Sequence, residues 1–166
     1  MDVTRQAQYV NKILSTELSK EQGGNYGYRI RNTYGIDQLE TMVEQLIKPP
    51  DSKSACCNLL HPRAWEGEVK AGMKRMACLT YIQVLIRDGQ LHFFAQFRSQ
   101  NAWHFHGNFK GLYELQRVVL SSNKERRRKL KRGNLMVTIA AAHLYEVDFN
   151  GAEQIFKKNG LMNLSV

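Results

Sequence analysis

Apolar side chains recur at Val3, Ala7, Val10, Ile13, Leu14 and Leu18, the three-and-four spacing of one helical face. The spacing predicts a helix over 3–18, ended by Gly23-Gly24. A second stripe, Leu39, Met42, Val43, Leu46 and Ile47, predicts another helix. Asp37 with Glu40 three positions on is a capping-box-like start for it, and Pro49-Pro50 is its stop.

The pattern then changes period. Leu79 to Ile86 is apolar and partly β-branched, Asp88-Gly89 is a type I′ turn signal, and Leu91 to Arg98 follows with aromatics. On that second strand Leu91, Phe93, Ala95 and Phe97 share one face, while His92, Phe94, Gln96 and Arg98 share the other. Phe109 to Leu120 reads as a helix, with Leu112, Leu115, Gln116 and Val119 on one side. Leu135 to Ala142 reads as a third, buried strand that leads into His143-Leu144-Tyr145, and a short helix near Ala152 to Lys158 closes the order. Helix, helix, hairpin, helix, strand, helix is α+β, with a mainly antiparallel or mixed sheet flanked by helices.

Length adds that 166 residues suit a single domain over 1–166. A chain of this size buries roughly 70% of the surface its unfolded form exposes. With 43% hydrophobic residues, a core needs no metal or disulfide staple. Cys56, Cys57 and Cys78 are odd in number and two are adjacent, which gives no disulfide framework and points to a reducing, cytoplasmic setting. No apolar run approaches the roughly 20 residues of a membrane span, so no membrane partner is expected.

The net charge of +9 attracts anions of any kind. Much of the excess lies in Lys124, Arg126, Arg127, Arg128, Lys129, Lys131 and Arg132, a run whose default is a solvated loop before the last strand. Its alternative is a nucleic-acid contact, for which the run itself offers no interleaved rings.

Chemistry concentrates at the hairpin's open end. Cys78 opens the first strand just after Lys74 and Arg75, and cations beside a thiol favour the nucleophilic thiolate. A free cysteine is equally a small buried hydrophobe. Arg98-Ser99 ends the partner strand, so folding at Asp88-Gly89 returns Arg98 toward Cys78. A guanidinium fork with a hydroxyl suits a phosphate, although a lone arginine also simply caps a strand. His143 and Tyr145 alternate onto one face, where they either satisfy the core or grip a sugar hydroxyl. Asn108 is an ordinary N-cap, or an amide that reads one edge of a planar base. Trp103-His104-Phe105-His106 alternates rings and could turn both histidines one way. No further ligand lies at metal spacing, so no metal is expected. His61 and His92 are single, and Cys56-Cys57 reads as strand packing.

Together these pieces resemble the thymidylate synthases and their pyrimidine hydroxymethylase relatives. The resemblance rests on Tyr26-Gly27-Tyr28-Arg29-Ile30-Arg31, Asp37-Gln38-Leu39, Pro50-Asp51-Ser52-Lys53, Cys78 with Gln83, the Asp88-Gly89 hairpin, Arg98-Ser99-Gln100-Asn101, Asn108 and Ala142-His143-Leu144-Tyr145. It covers about Asn25 to Asp148. It implies that Cys78 adds to C6 of a pyrimidine nucleoside monophosphate, making C5 a carbon nucleophile for a one-carbon unit from 5,10-methylenetetrahydrofolate. It implies that Arg98 and Ser99 hold the 5′-phosphate, and that His143 and Tyr145 hold the ribose hydroxyl. Asn108 would lie at the base, Asn101 would be a further substrate-binding residue, and Tyr26 would assist proton removal from C5. Lys53 would reach a phosphate across a two-fold interface, hence a homodimer.

The sequence departs from the family at several of these points. The paired arginines after Asp-Ser are Lys53 and Ser54, the histidine beside the nucleophile is Leu79, and the aspartate of Arg-Ser-x-Asp is Asn101. The stretch before Asn108 is one residue shorter than the common bacterial form. No counterpart of the catalytic glutamate or the folate-packing tryptophan is recognised, and the chain ends soon after Tyr145. Two further readings therefore stand beside methylation or hydroxymethylation: a nucleotide-binding protein on the same fold with reduced turnover, and a nucleic-acid-binding protein using residues 124–132.

Overall fold

Asp88 and Gly89 both adopt positive φ, 51° and 69°, the backbone that a two-residue hairpin turn demands. They fold strand β2 (Leu79–Arg87) onto strand β3 (Gln90–Phe97) in a register running from Arg87 opposite Gln90 to Leu79 opposite Phe97. One irregularity falls between Leu79 and Tyr81, at the end that carries Cys78. The remaining elements, in chain order, are helix α1 (Tyr26–Arg31), helix α2 (Gln38–Ile47), strand β1 (Cys56–Asn58), strand β4 (Gln100–Asn101), helix α3 (Phe105–Glu125), strand β5 (Lys131–Ile139), strand β6 (Ala142–His143) and helix α4 (Phe149–Lys158). Short 3-10 turns, Ala102–His104 and Glu146–Asp148, lead into α3 and α4. This computed structural model describes residues 7, 10, 11, 13–17, 26–32, 35–47, 49, 51–60, 76–125 and 129–160.

The main sheet is ordered β1-β2-β3-β5, with β1, β2 and β3 antiparallel and β5 parallel to β3. It is the mixed sheet that the element order predicts. Beyond Phe97 the pairing continues: Ala140 N donates to Phe97 O and Gln100 N to Ala141 O, each at 2.9 Å. There β4 and β6 form a small parallel sheet, with Asn101 opposite His143.

Alternation decides which face is covered. Leu91, Phe93, Ala95 and Phe97 are all buried, together with Ile82 and Val84 of β2. They share a core with Leu39, Met42, Val43 and Leu46 of α2 and with Leu112, Leu115 and Val119 of α3. Each such side chain except that of Ala95 contributes roughly 1.5–3 kcal/mol when fully buried. Asp37 Oδ1 accepts from the Leu39 and Glu40 amides at 3.0 and 3.1 Å, the capping expected for α2. Ala7, Val10, Asn11, Ile13 and Leu14 are helical, in keeping with the first stripe. The Gly23-Gly24 break, Lys74, Arg75, His61 and part of the basic run lie outside the described residues.

Three sequence expectations are corrected. The third helix starts at Phe105, not Phe109, because Asn101 Oδ1 accepts the Trp103 amide at 2.9 Å and starts a 3-10 turn that runs straight into α3. Residues 103–106 are therefore helical, not an alternating strand, and Asn108 sits inside the helix and not at its cap. The third strand begins at Lys131 and ends at Ile139, so Lys131 and Arg132 of the basic run belong to the sheet. Backbone pairing with β3 needs no apolar side chain there, and the Arg132 guanidinium stacks 3.7 Å from the Tyr113 ring centroid. That strand is also less buried than expected: Met136 is 45% exposed.

Candidate active site

Arg98 is fastened to the segment that carries Cys78. Its backbone amide donates to Cys78 O at 2.9 Å, Nε donates to Ala77 O at 3.0 Å, and Nη2 donates to Met76 O at 2.8 Å. The guanidinium is thus held by the chain just before the thiol, with one N–H left on each terminal nitrogen besides the 3.4 Å contact of Nη1 to Ser99 Oγ. Ser99 Oγ in turn donates to Cys78 Sγ at 3.6 Å. Cys78 is half-buried at the core's margin and Arg98 stays exposed, with Ser99 Oγ hydrogen-bonded to both side chains.

Tyr26 backs this group from α1. Its ring meets Phe97 edge-on at 6.4 Å. Burial raises its hydroxyl pKa well above the usual tyrosine value, and the nearby Cys78 adds to the rise. A hydrogen bond from the Leu79 backbone and the charges of Arg29 and Arg98 oppose it. The phenol stays protonated, beside the residue that follows Cys78. Gly27 makes that seat possible, because a Cβ there would stand 2.5 Å from the Ile13 carbonyl oxygen.

A second group follows directly from Ser99. Gln100 and Asn101 are 3% and 8% exposed. Asn108 Nδ2 donates to Gln100 Oε1 at 2.8 Å, and Gln100 Nε2 donates to Asn101 O at 2.9 Å. Asn101 Nδ2 donates to Asp148 Oδ2 at 3.0 Å. Because Asn101 lies opposite His143, the small sheet brings the histidine to the same end, and the His143 and Tyr145 rings meet edge-on at 4.9 Å. Tyr145 is 59% exposed.

The fold therefore assembles Cys78, Arg98, Ser99 and Tyr26 into one group, and joins Asn101, Asn108, His143 and Tyr145 to it through β4. Lys53 stands apart and exposed. Its carbonyl accepts from Gln83 Nε2 at 2.7 Å, five positions along β2 from Cys78. Asp148 and Gln100 are the participants that the sequence did not single out for a role. Gln100 lies within the Arg98-Ser99-Gln100-Asn101 motif, whereas nothing in the spacing ties position 148 to position 101.

Comparison with known proteins points to one family. The family model described as thymidylate synthase matches residues 7–163. A thymidylate synthase homologue of Methanosarcina barkeri is 27% identical over 155 residues, covering 92% of this chain and 67% of the homologue. One from Methanothermobacter thermautotrophicus is 27% identical over 135 residues, covering 80% of this chain and 55% of the homologue. Among solved structures, thymidylate synthase from T4 phage superposes with a TM-score of 0.60 at 19% identity. That match covers 92% of this chain but 49% of the phage chain, so this chain spans about half the length of the phage enzyme whose fold it shares.

Proposed function

The chain belongs to the thymidylate synthase family, and from that footing we propose that it binds a pyrimidine nucleoside monophosphate and adds the Cys78 thiolate to C6 of the base. Addition there makes C5 nucleophilic, which is the step that C5 methylation or hydroxymethylation requires. The observation that carries the proposal is the fastening of the Arg98 guanidinium to the carbonyls of Met76 and Ala77 while Ser99 Oγ reaches Cys78 Sγ. In this reading Arg98 and Ser99 receive the 5′-phosphate, His143 and Tyr145 the sugar hydroxyl, and Asn108 faces the base. Tyr26, kept protonated by burial, cannot itself accept the C5 proton and would assist its removal by hydrogen-bonding the water that takes it.

The same reading takes 5,10-methylenetetrahydrofolate, the usual donor of the family, as the one-carbon source. The described cluster meets its needs only in part. It holds a thiol, hydroxyls, amides and a guanidinium, and its one carboxylate, Asp148, is bonded to Asn101. No step is therefore assigned to that donor, and the proposal rests on nucleotide binding and C6 addition.

A homodimer belongs to the same proposal. The helices cover the sheet face carrying Ile82, Val84 and Phe93, whereas Tyr81, Leu85 and Phe94 point to the other face. A second copy on that face would also bring an exposed Lys53 to a partner's phosphate. Among the described residues no helix is long and apolar enough to cross a membrane.

A second reading, binding with reduced turnover, is favoured by Leu79. It stands where the family places a histidine beside the nucleophile, and it is fully buried. Calorimetric titration with dUMP, dCMP and CMP, and with the matching nucleosides, tests the shared part of both readings. At least one monophosphate is expected to bind ten-fold or more tightly than its nucleoside. Equal affinity with and without the phosphate would contradict the role given to Arg98 and Ser99.

A further inference from the structure

Asn101 holds two parts of the candidate site together, and both ends of its amide are engaged. Oδ1 accepts the Trp103 amide at 2.9 Å, and Nδ2 donates to Asp148 Oδ2 at 3.0 Å. These partners fix which end is oxygen, because a backbone N–H can only donate and a carboxylate can only accept. The strand that carries Asn101 continues from Arg98 and Ser99, whereas Asp148 ends the turn that follows His143 and Tyr145. One half-buried, charge-assisted hydrogen bond thus spans 47 positions and ties the segment that would grip phosphate to the one that would grip sugar. Packing reinforces the tie, since a Cβ at Gly151 would stand 2.6 Å from Trp103 Cη2. The indole therefore lies on bare backbone of α4, the helix that Asp148 precedes.

The Arg-Ser-x-Asp element that this sequence resembles has a carboxylate at the position of Asn101. Here an amide occupies it, and the carboxylate faces it from the other side of the hydrogen bond. We propose that Asp148 is a positioning residue for nucleotide binding. It supplies from position 148 the carboxylate missing at 101, and through Asn101 it sets the spacing between the Arg98–Ser99 and His143–Tyr145 grips. This rests on the pyrimidine monophosphate reading given above.

The pair is reciprocal, which makes it testable by exchange. Combining Asn101→Asp with Asp148→Asn keeps an oxygen for the Trp103 amide and reverses the bond between the two side chains. Asn101→Asp alone leaves two carboxylates face to face, whereas Asp148→Asn alone keeps an amide oxygen for the Asn101 N–H but loses the charge. The probes are the monophosphate that the wild type binds most tightly and inorganic phosphate. Asp148→Ala and Asn101→Asp are each expected to weaken the nucleotide about ten-fold or more while phosphate affinity changes less than about three-fold. The exchanged double variant is expected to return to within about three-fold of wild type. A double variant no better than Asn101→Asp alone, or a loss of phosphate affinity equal to that of nucleotide, overturns the positioning role. Failure of the wild type to bind any of the monophosphates overturns the pocket reading itself, and the wild-type titration alone separates that outcome from the other two.

Discussion

Ser99 Oγ donates to Cys78 Sγ across 3.6 Å, although the two residues are 21 positions apart in sequence. The hairpin accounts for this. A register closed by two left-handed residues at Asp88-Gly89 returns the chain to its starting level after Phe97, and the Arg98 amide then binds Cys78 O at 2.9 Å. The chemistry proposed for this chain depends on that return.

Removing the hydroxyl should therefore slow chemistry even when nucleotide is saturating. Ser99→Ala is expected to lower C5 proton exchange about ten-fold, by the loss of one hydrogen bond to the reacting sulfur. Single-turnover exchange measured at saturating nucleotide checks it.

Arg98 uses its planar fork to hold carbonyls on one side and offer N–H groups on the other. Lysine has a single ammonium and cannot do both. Arg98→Lys is expected to weaken a nucleoside monophosphate about ten- to hundred-fold while affinity for the free nucleoside changes little, as read by calorimetry.

Gly27 is required by close approach, not by φ. The Ile13 carbonyl oxygen would lie 2.5 Å from an added Cβ, so Gly27→Ala must shift α1, and Tyr26 with it, or the backbone of residues 13–15. Urea unfolding should show a loss of roughly 1–3 kcal/mol.

Cys57 gives a pH signature. Burial first, then the charges of Cys56 and Asp37, push its thiol up to about 12 from 9.0. The folded state therefore keeps a proton that the unfolded state releases. The associated stability is present below pH 9.0 and is lost as pH rises toward about 12. Within that window the slope approaches about 1.4 kcal/mol per pH unit for one such group. Cys57→Ala should flatten the alkaline limb of urea-denaturation stability between those limits relative to wild type.

Much of this arrangement was legible in the sequence because its determinants are local. Asp88-Gly89 dictates a turn, the Asp37 carboxylate dictates a helix start, and the alternation from Leu91 to Phe97 dictates a buried face. Two strands of known register then carry Cys78 and Arg98 to one end without further information. What was not legible depends on partners distant in sequence. The start of α3 is set by the Asn101 side chain, and the start of β5 by backbone pairing with β3 inside a stretch rich in Lys and Arg. Asp148 acquires its partner only through the parallel pairing of β4 with β6. Asn108, read alone as a cap, is instead inside a helix with its amide turned to Gln100.

The central claim is that this fold poises one sulfur to attack a bound pyrimidine monophosphate. Release of tritium from the C5 position of dUMP, dCMP or CMP measures that step without any one-carbon donor, because thiolate addition labilises the C5 hydrogen. The wild type is expected to release tritium from at least one of them, and Cys78→Ser to release none above background. Tight nucleotide binding with no release, or release that survives Cys78→Ser, would contradict it.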